Sequence, residues 1–240
     1  MSDLPDVDLV FVSGVLSPDV WKHQKRYFSG CSNVEVTGGK EYSQLYTEIQ
    51  SIIEENNNVI LVGAEMGNYI IQEFEGHDNV VSTVLTGPFD SFSLKDSRIF
   101  KMGKKLYNHP KLAKKIFFTG KTDYSVVKDF IRSAGSLDYN KYESYQNLSL
   151  RMPVKNSLII YNQNCVFSKM NAVEDFRPNS EIAILDAGSF SFFEKPQEYN
   201  KALHDYLIGR KDLLERRELV RSASRNRSLK DFEEKIELEQ

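Results

Sequence analysis

Three short runs of apolar, largely β-branched residues constrain the fold of this chain more than any other feature. Asp8–Val12, Asn58–Val62 and Val80–Leu85 are largely apolar on both faces, and glycine follows each of them within two residues. Such runs, ended by turn residues, are typical of buried strands in a parallel sheet. One shorter run and two later ones extend the prediction to six strands: Val34–Val36, Ser157–Tyr161 and Glu181–Leu185.

Segments of helical periodicity lie between these runs. From Tyr42 to Glu54, apolar side chains recur at the i, i+4, i+7 and i+8 positions that form one face of a helix. A second helical pattern covers Asn68–Phe74, directly after the second long run. Because strands and helices alternate, we expect the α/β class, with a mainly parallel central sheet and helices on both faces.

Two regions depart from this alternation. Residues 90–152 are polar, lysine-rich and helical in pattern, which predicts a helical lid inserted into the α/β domain. Within it, residues 97–122 carry eight basic and no acidic side chains, which form either a surface for anionic partners or a solvated basic face. After residue 208 the chain is arginine-rich and then acidic, which predicts a helical or disordered tail. We therefore expect an α/β domain over residues 1–208 and a tail over 209–240.

Composition excludes several classes of protein. The 31 basic and 34 acidic residues give a formal net charge of −3, which offers no argument for binding nucleic acid or an acidic membrane. Cys31 and Cys165 are too few for a disulfide framework, and the acidic start lacks the basic and apolar regions of a signal peptide. The apolar runs are far shorter than the roughly 20 residues that span a bilayer. We expect a cytoplasmic or nuclear protein with no membrane span.

The second long run leads into the motif Gly63-Ala64-Glu65-Met66-Gly67, which precedes a predicted helix. This is the spacing of the nucleophile elbow G-x-S-x-G, in which a helix starts close against a strand. Here the sequence resembles the α/β-hydrolase superfamily, and the resemblance covers residues 7–207. Other segments resemble that family in the same order along the chain. Ser13-Gly14 and Trp21 lie where the family has its oxyanion loop, and Pro153–Phe167 resembles the strand and turn that carry its acid. The segment around its histidine is matched by Asp186–Phe190, Glu194-Lys195-Pro196 and Tyr199-Asn200.

The resemblance implies an α/β-hydrolase fold, but this chain departs from the family at all three catalytic positions. Glu65 stands where the family has a serine, cysteine or aspartate nucleophile, and Ser189 stands in place of the histidine. The acid would fall near Asn164 or Cys165. Acyl transfer needs an activated nucleophile, a base and a group that orients the base. We therefore expect a pseudoenzyme, catalytically inactive, without metal or cofactor.

A protein of this kind would act as a protein-interaction or ligand-binding module. We expect a protein partner, and a small ligand could also bind in the former catalytic pocket. The resemblance places six residues around that pocket, and these are our candidates for ligand contact: Ser13, Gly14, Val15, Glu65, Met66 and Ser189.

Two other functions stay open. An active hydrolase or lyase could use Glu65 as an unorthodox carboxylate nucleophile, although the extra methylene of glutamate would displace the attacking atom. Its base would then have to be His23 or His109, while Asp90 is either a relocated acid or a helix cap. The other function is a nucleic-acid-associated factor that binds through the basic lid and tail, and we do not expect it.

The C-terminal tail carries a candidate docking segment. Leu229, Phe232 and Ile236 lie at i, i+3 and i+7, which predicts a helix with a narrow apolar stripe that fits a partner's groove. Ser224 and Ser228 each follow an arginine by three residues, so both are candidates for phosphorylation. A functionless tail is the alternative interpretation.

Overall fold

A parallel sheet is the centre of the fold in this computed structural model, which describes residues 4, 6–30, 32–87, 109–135, 138–145, 148, 157–165 and 180–212. Within those residues, six strands pair in the order β2-β1-β3-β4-β5-β6, and every pair is parallel. The strands are β1 (Asp8–Val12), β2 (Asn33–Thr37), β3 (Val59–Ala64), β4 (Val80–Thr86), β5 (Ser157–Asn162) and β6 (Ser180–Leu185).

The sequence predicted all six strands, and the differences are confined to strand ends. The largest is at β3, which continues through Gly63 and Ala64 because these residues still pair with Leu85 and Thr86 of β4. All residues of β1 after Asp8, and all of β3, β4 and β5, are buried. Burial on both faces explains why these strands appear in the sequence as continuous apolar runs.

The strand order creates a switch point between β1 and β3. From β1 the chain moves outward to β2, then crosses back to place β3 on the other side of β1. In open parallel sheets, ligands bind in the crevice at the carboxyl ends of the strands where the order reverses in this way. In this chain, those carboxyl ends lead into Ser13 and Glu65.

Helices cover both faces of the sheet, as the alternation predicted. On one face, Leu45, Ile49 and Ile53 of the second helix pack with Val10 and Leu61. On the other face, the Trp21 ring stacks on Phe192 with a centroid separation of 4.2 Å. The described helices are α1 (Lys22–Phe28), α2 (Tyr42–Glu55), α3 (Gly67–Ile71), α4 (Pro110–Phe117), α5 (Tyr124–Ala134), α6 (Tyr139–Glu143), α7 (Ser191–Glu194) and α8 (Pro196–Gly209).

The helix predicted over Asn68–Phe74 is divided in the structure. The α-helical part, α3, ends at Ile71, and Gln72–Phe74 form a 3₁₀ turn. Tightening of this kind is frequent in the last turn of a helix.

The segment between β4 and β5 contains α4, α5 and α6 in its described residues, 109–135, 138–145 and 148, and these residues include no strand. We call residues 109–135 and 138–145 the insertion. Its helices agree with the helical character predicted for residues 90–152. No helix in the described ranges is long and apolar enough to cross a membrane. Several predicted positions lie outside the described residues, so their roles stay predictions: Asp90, Ser224, Ser228, Leu229, Phe232 and Ile236.

Gly67 offers a test of the strand–turn–helix packing. A Cβ atom at this position would lie 2.1 Å from the backbone oxygen of Val12, and backbone atoms cannot yield as a flexible side chain can. We expect Gly67→Ala to lower the free energy of unfolding by about 3 kcal/mol or more, measured by urea denaturation. Gly76→Ala is the matched control, because a Cβ there meets nothing within 4 Å. Equal stability of the two variants would contradict this packing.

Candidate functional site

Glu65 occupies the turn between β3 and α3 in a left-handed conformation. Its φ is 55°, and it is the one non-glycine residue with positive φ among those described. This conformation costs a side-chain-bearing residue about 1–2 kcal/mol. The turn is tight, because a Cβ at Gly63 would lie 2.9 Å from the backbone nitrogen of Asn68. The geometry expected of an elbow motif is therefore present, with glutamate at its centre.

Asn68, on the first turn of α3, ties the elbow to the end of β4. Its Nδ2 donates to the backbone oxygen of Thr86 at 2.9 Å, and the Thr86 N–H donates to its Oδ1 at 3.1 Å. The Thr86 hydroxyl in turn lies 2.7 Å from the Tyr199 hydroxyl. The support beneath Glu65 is thus fully hydrogen-bonded and buried, which makes the position of the turn rigid.

The loop after β1 packs directly against the elbow. Gly14 has φ 61°, and a Cβ there would lie 2.5 Å from the Cβ of Met66. The Ser13 hydroxyl donates to the backbone oxygen of Leu16 at 2.8 Å, so it fixes the loop from within. Val15 and Met66 are buried in the hydrophobic core. The structure therefore brings these pocket candidates together around Glu65, and their ligand contacts stay a prediction.

A tyrosine of the insertion closes over the Glu65 carboxyl group. The Tyr142 hydroxyl donates a hydrogen bond to Glu65 Oε1 at 2.5 Å. Part of the Glu65 residue is exposed, but its Oε2 atom has essentially no solvent access and, among the described residues, no hydrogen-bond partner. The carboxyl group itself is therefore enclosed between the elbow and the insertion.

This enclosure changes the protonation of Glu65. Burial raises the pKa of its carboxyl group to about 8, although hydrogen bonds from the Tyr142 hydroxyl and the Met66 N–H act in the opposite direction. At neutral pH the group is therefore mainly a neutral acid. Because Oε1 accepts from Tyr142, the proton belongs on Oε2. A neutral acid of this kind is a poor nucleophile and a competent hydrogen-bond donor.

Ser189 and Cys165 meet in the segments that follow the C-terminal ends of β6 and β5. Their Oγ and Sγ atoms lie 3.3 Å apart, and both residues are buried. Asn164, the other candidate for the acid position, instead donates to Asp186 Oδ1 at 2.7 Å on the exposed side. Cys165 therefore occupies the place beside Ser189, and no base or carboxylate of the described residues is hydrogen-bonded to this hydroxyl–thiol pair.

The histidines proposed as relocated bases lie elsewhere in the described structure. His23 on α1 packs edge-on against the Phe193 ring at 5.0 Å, and burial lowers the pKa of its imidazole. His109 is exposed at the position before α4. Among described residues, neither imidazole forms a hydrogen bond with Glu65 or Ser189. In the same residues, no three His, Cys, Asp or Glu side chains come together in a way that could hold a metal ion.

One end of the insertion is fixed to the α/β domain beside Glu65. The backbone N–H of Tyr42 donates to Ser144 Oγ at 2.9 Å. The Tyr145 hydroxyl donates to the backbone oxygen of Lys40 at 3.2 Å, and Lys141 Nζ donates to that of Gly39 at 2.5 Å. These contacts place α6 over the loop between β2 and α2.

The other end of the insertion is fixed beside Ser189. Glu194 on α7 accepts from the Thr119 N–H and hydroxyl at 2.9 and 2.6 Å, from the Thr122 hydroxyl, and from the Gly188 N–H at 2.7 Å. The Ser189 N–H donates to the backbone oxygen of Phe117 at 2.7 Å. The insertion therefore contacts both Glu65 and Ser189. Sequence reasoning missed Tyr142 and the role of Glu194, because no local pattern marks either contact.

Comparisons with known proteins support this architecture. No protein-family model matches the sequence, and no curated protein matches it. Among solved structures, the enol-lactonase from Burkholderia xenovorans LB400 matches with a TM-score of 0.69 and 16% identity, over 84% of this chain and 91% of that one. An esterase from Thermogutta terrifontis matches with 0.67 and 15%, over 85% and 90%. A hydrolase from Pseudomonas aeruginosa PA01 matches with 0.68 and 14%, over 84% and 90%.

These likenesses establish the fold and, at such low identity, nothing further. The chain has the α/β-hydrolase fold, as its elbow motif and the ordered segments around it predicted. The activities named for the similar structures belong to those proteins. Function has to be argued from the site of this chain.

The protonation of Glu65 predicts how stability changes with pH. Its pKa is about 8 in the folded chain and is expected near 4.5 when unfolded. Its favourable contribution is therefore complete below about pH 4.5 and is lost as the pH rises through about 8. We expect Glu65→Gln, which keeps the size and stays neutral, to gain stability over the natural chain by roughly 1.4 kcal/mol per pH unit between these limits.

Urea denaturation of both proteins at several pH values measures this difference. Because all other titrating groups are shared, their effects cancel when the two curves are subtracted. A difference that stays constant from about pH 5 to about pH 8 would show that Glu65 is not buried as a neutral acid.

Proposed function

We propose that this chain is a catalytically inactive α/β-hydrolase-fold protein that acts as a binding module. The observation that carries the proposal is the enclosure of Glu65, whose carboxyl group lies under Tyr142 with Oε2 buried. A nucleophile must be reachable by substrate and must be activated by a neighbouring base. Glu65 meets neither requirement in this arrangement.

The other degenerate positions support the same conclusion. A hydrolase of this fold needs a base that takes a proton from the nucleophile or from water, and a third group that orients the base. Ser189 cannot accept a proton near neutral pH, and its hydroxyl lies against the thiol of Cys165. The described residues supply no imidazole at this place. Together with the enclosed Glu65, this leaves acyl transfer without any of its three participants among the described residues.

The binding role follows from what the fold retains. The switch point between β1 and β3 is preserved, with the Gly14 loop and the elbow in contact. This is where open parallel sheets bind ligands, so a small ligand would bind beneath the insertion, near Met66 and Ser189. A protein partner would use the exposed surface or the tail segment with Leu229, Phe232 and Ile236, which stays a prediction from the sequence.

A second function is favoured by one specific observation. The pKa of Glu65, about 8, lies close to neutral pH, and no described residue forms a hydrogen bond with its Oε2. Acids with shifted pKa values are frequent among catalytic groups. An acid–base hydrolase or lyase that uses Glu65 is therefore the alternative. Nucleic-acid binding has no comparable support: of the basic residues predicted for the lid, Lys121 pairs with Asp186, and Lys114 lies over the Tyr124 ring.

Assays of acyl transfer test the proposal. We expect no reaction with serine-directed fluorophosphonates and no turnover of p-nitrophenyl acetate or butyrate above a heat-denatured control. Glu65→Ser should label at most weakly, because the serine would still lack a base at position 189. Ester turnover that disappears in Glu65→Ala and that depends on a group titrating near pH 8 would establish the acid–base alternative instead.

A further inference from the structure

We propose that the Glu65–Tyr142 contact is a proton-controlled clasp, which holds α6 closed over the switch point and releases it when Glu65 loses its proton. The inference rests on the proposed binding function, because the clasp would regulate ligand entry to that same site. It assigns a role to one feature that binding alone leaves unexplained, namely the buried Glu65 Oε2, which has no hydrogen-bond partner among the described residues.

The geometry makes Glu65 the place where α6 meets the elbow. Tyr142 is buried, and its hydroxyl reaches Glu65 Oε1 from the insertion side. The neighbouring contacts of this segment, made by Ser144 and Tyr145, end on backbone groups of the α/β domain. The Glu65 contact therefore differs from its neighbours, because a side chain that can change its charge forms one half of it.

Within the part of the chain that the structure describes, the groups that face the Glu65 carboxyl do not neutralise its charge. Tyr142 of α6 and the Met66 N–H of the elbow donate to it, and Tyr145 lies close enough for the Glu65 charge to raise the pKa of its phenol further above the value that burial imposes. Tyr42 of α2 packs against the Tyr145 ring at 5.6 Å. The nearby cations are engaged elsewhere: Lys40 pairs with Glu48, and Lys141 donates to the Gly39 backbone oxygen.

An ionised Glu65 is therefore costly only while α6 is closed. The Tyr142 hydrogen bond becomes stronger when the carboxyl group is charged, but this gain is smaller than the loss of hydration, since the pKa still rises to about 8. If α6 moves away, water reaches Oε2 and the pKa returns towards its ordinary value of 4.5. Between these values, each unit of pH favours the open form by roughly tenfold.

Hydrogen exchange measures this opening directly. The amide exchange rates of a peptide covering residues 139–145 are recorded by mass spectrometry from about pH 6 to about pH 8 and divided by the intrinsic rates. We expect the resulting opening constant of the natural chain to rise roughly tenfold per pH unit. In Glu65→Gln the constant should not change with pH, because glutamine cannot ionise.

Two further variants separate the clasp from general loosening of the insertion. Ser144→Ala removes the acceptor for the Tyr42 N–H without changing a titratable group. It should therefore raise exchange by one constant factor at every pH and keep the wild-type slope. Tyr142→Phe should also raise exchange at every pH, because the hydrogen bond to Oε1 is lost.

The outcomes are distinct. A wild-type opening constant independent of pH would overturn the clasp, and so would an equal slope in the natural chain and in Glu65→Gln. Because the first of these results needs no variant, the clasp can be overturned even if a variant fails to fold. Either negative result would leave the absence of acyl transfer untouched, since the labelling and ester assays test that separately.

Discussion

The burial of one carboxyl group, that of Glu65, is the constraint on which the rest of the site depends. The turn between β3 and α3 forces this side chain outward at the switch point, and the insertion then encloses it. A charged carboxylate in such a place would need a cation or water, and the described structure gives it a tyrosine hydroxyl and a backbone N–H. Neutrality of Glu65 is therefore the condition for closing the insertion.

The position of the insertion follows from two carboxyl groups of the α/β domain. Glu65 contacts Tyr142 at one end, while Glu194 binds Thr119, Thr122 and the Gly188 N–H at the other. The two carboxyl groups differ in the number of hydrogen-bond donors that surround them. Glu194 is surrounded by four donors, as suits a carboxylate, whereas one oxygen of Glu65 has no partner among the described residues. The Glu194 contact is suited to permanent attachment, and the Glu65 contact is suited to release.

The sequence predicted what depends on pattern and missed what depends on long-range contact. Buried strands leave apolar runs, and the spacing of Gly63 and Gly67 marks the turn at Glu65, so the fold and the place of this turn could be predicted. The hydrogen bond between Glu65 and Tyr142 joins residues 77 positions apart, and no local signal marks such a pair. Nor could the sequence choose between Asn164 and Cys165, because that choice depends on which side chain faces Ser189.

Direct titration of Glu65 tests the central claim, that its carboxyl group is a neutral acid at the elbow. The carbonyl stretch of a protonated carboxyl group can be followed by infrared difference spectroscopy, with Glu65→Gln as the reference that identifies the band. We expect the Glu65 band to persist through neutral pH and to disappear with a midpoint of about 8. A midpoint near 4.5, the ordinary value for glutamate, would contradict both the enclosure of Glu65 and its role in holding the insertion closed.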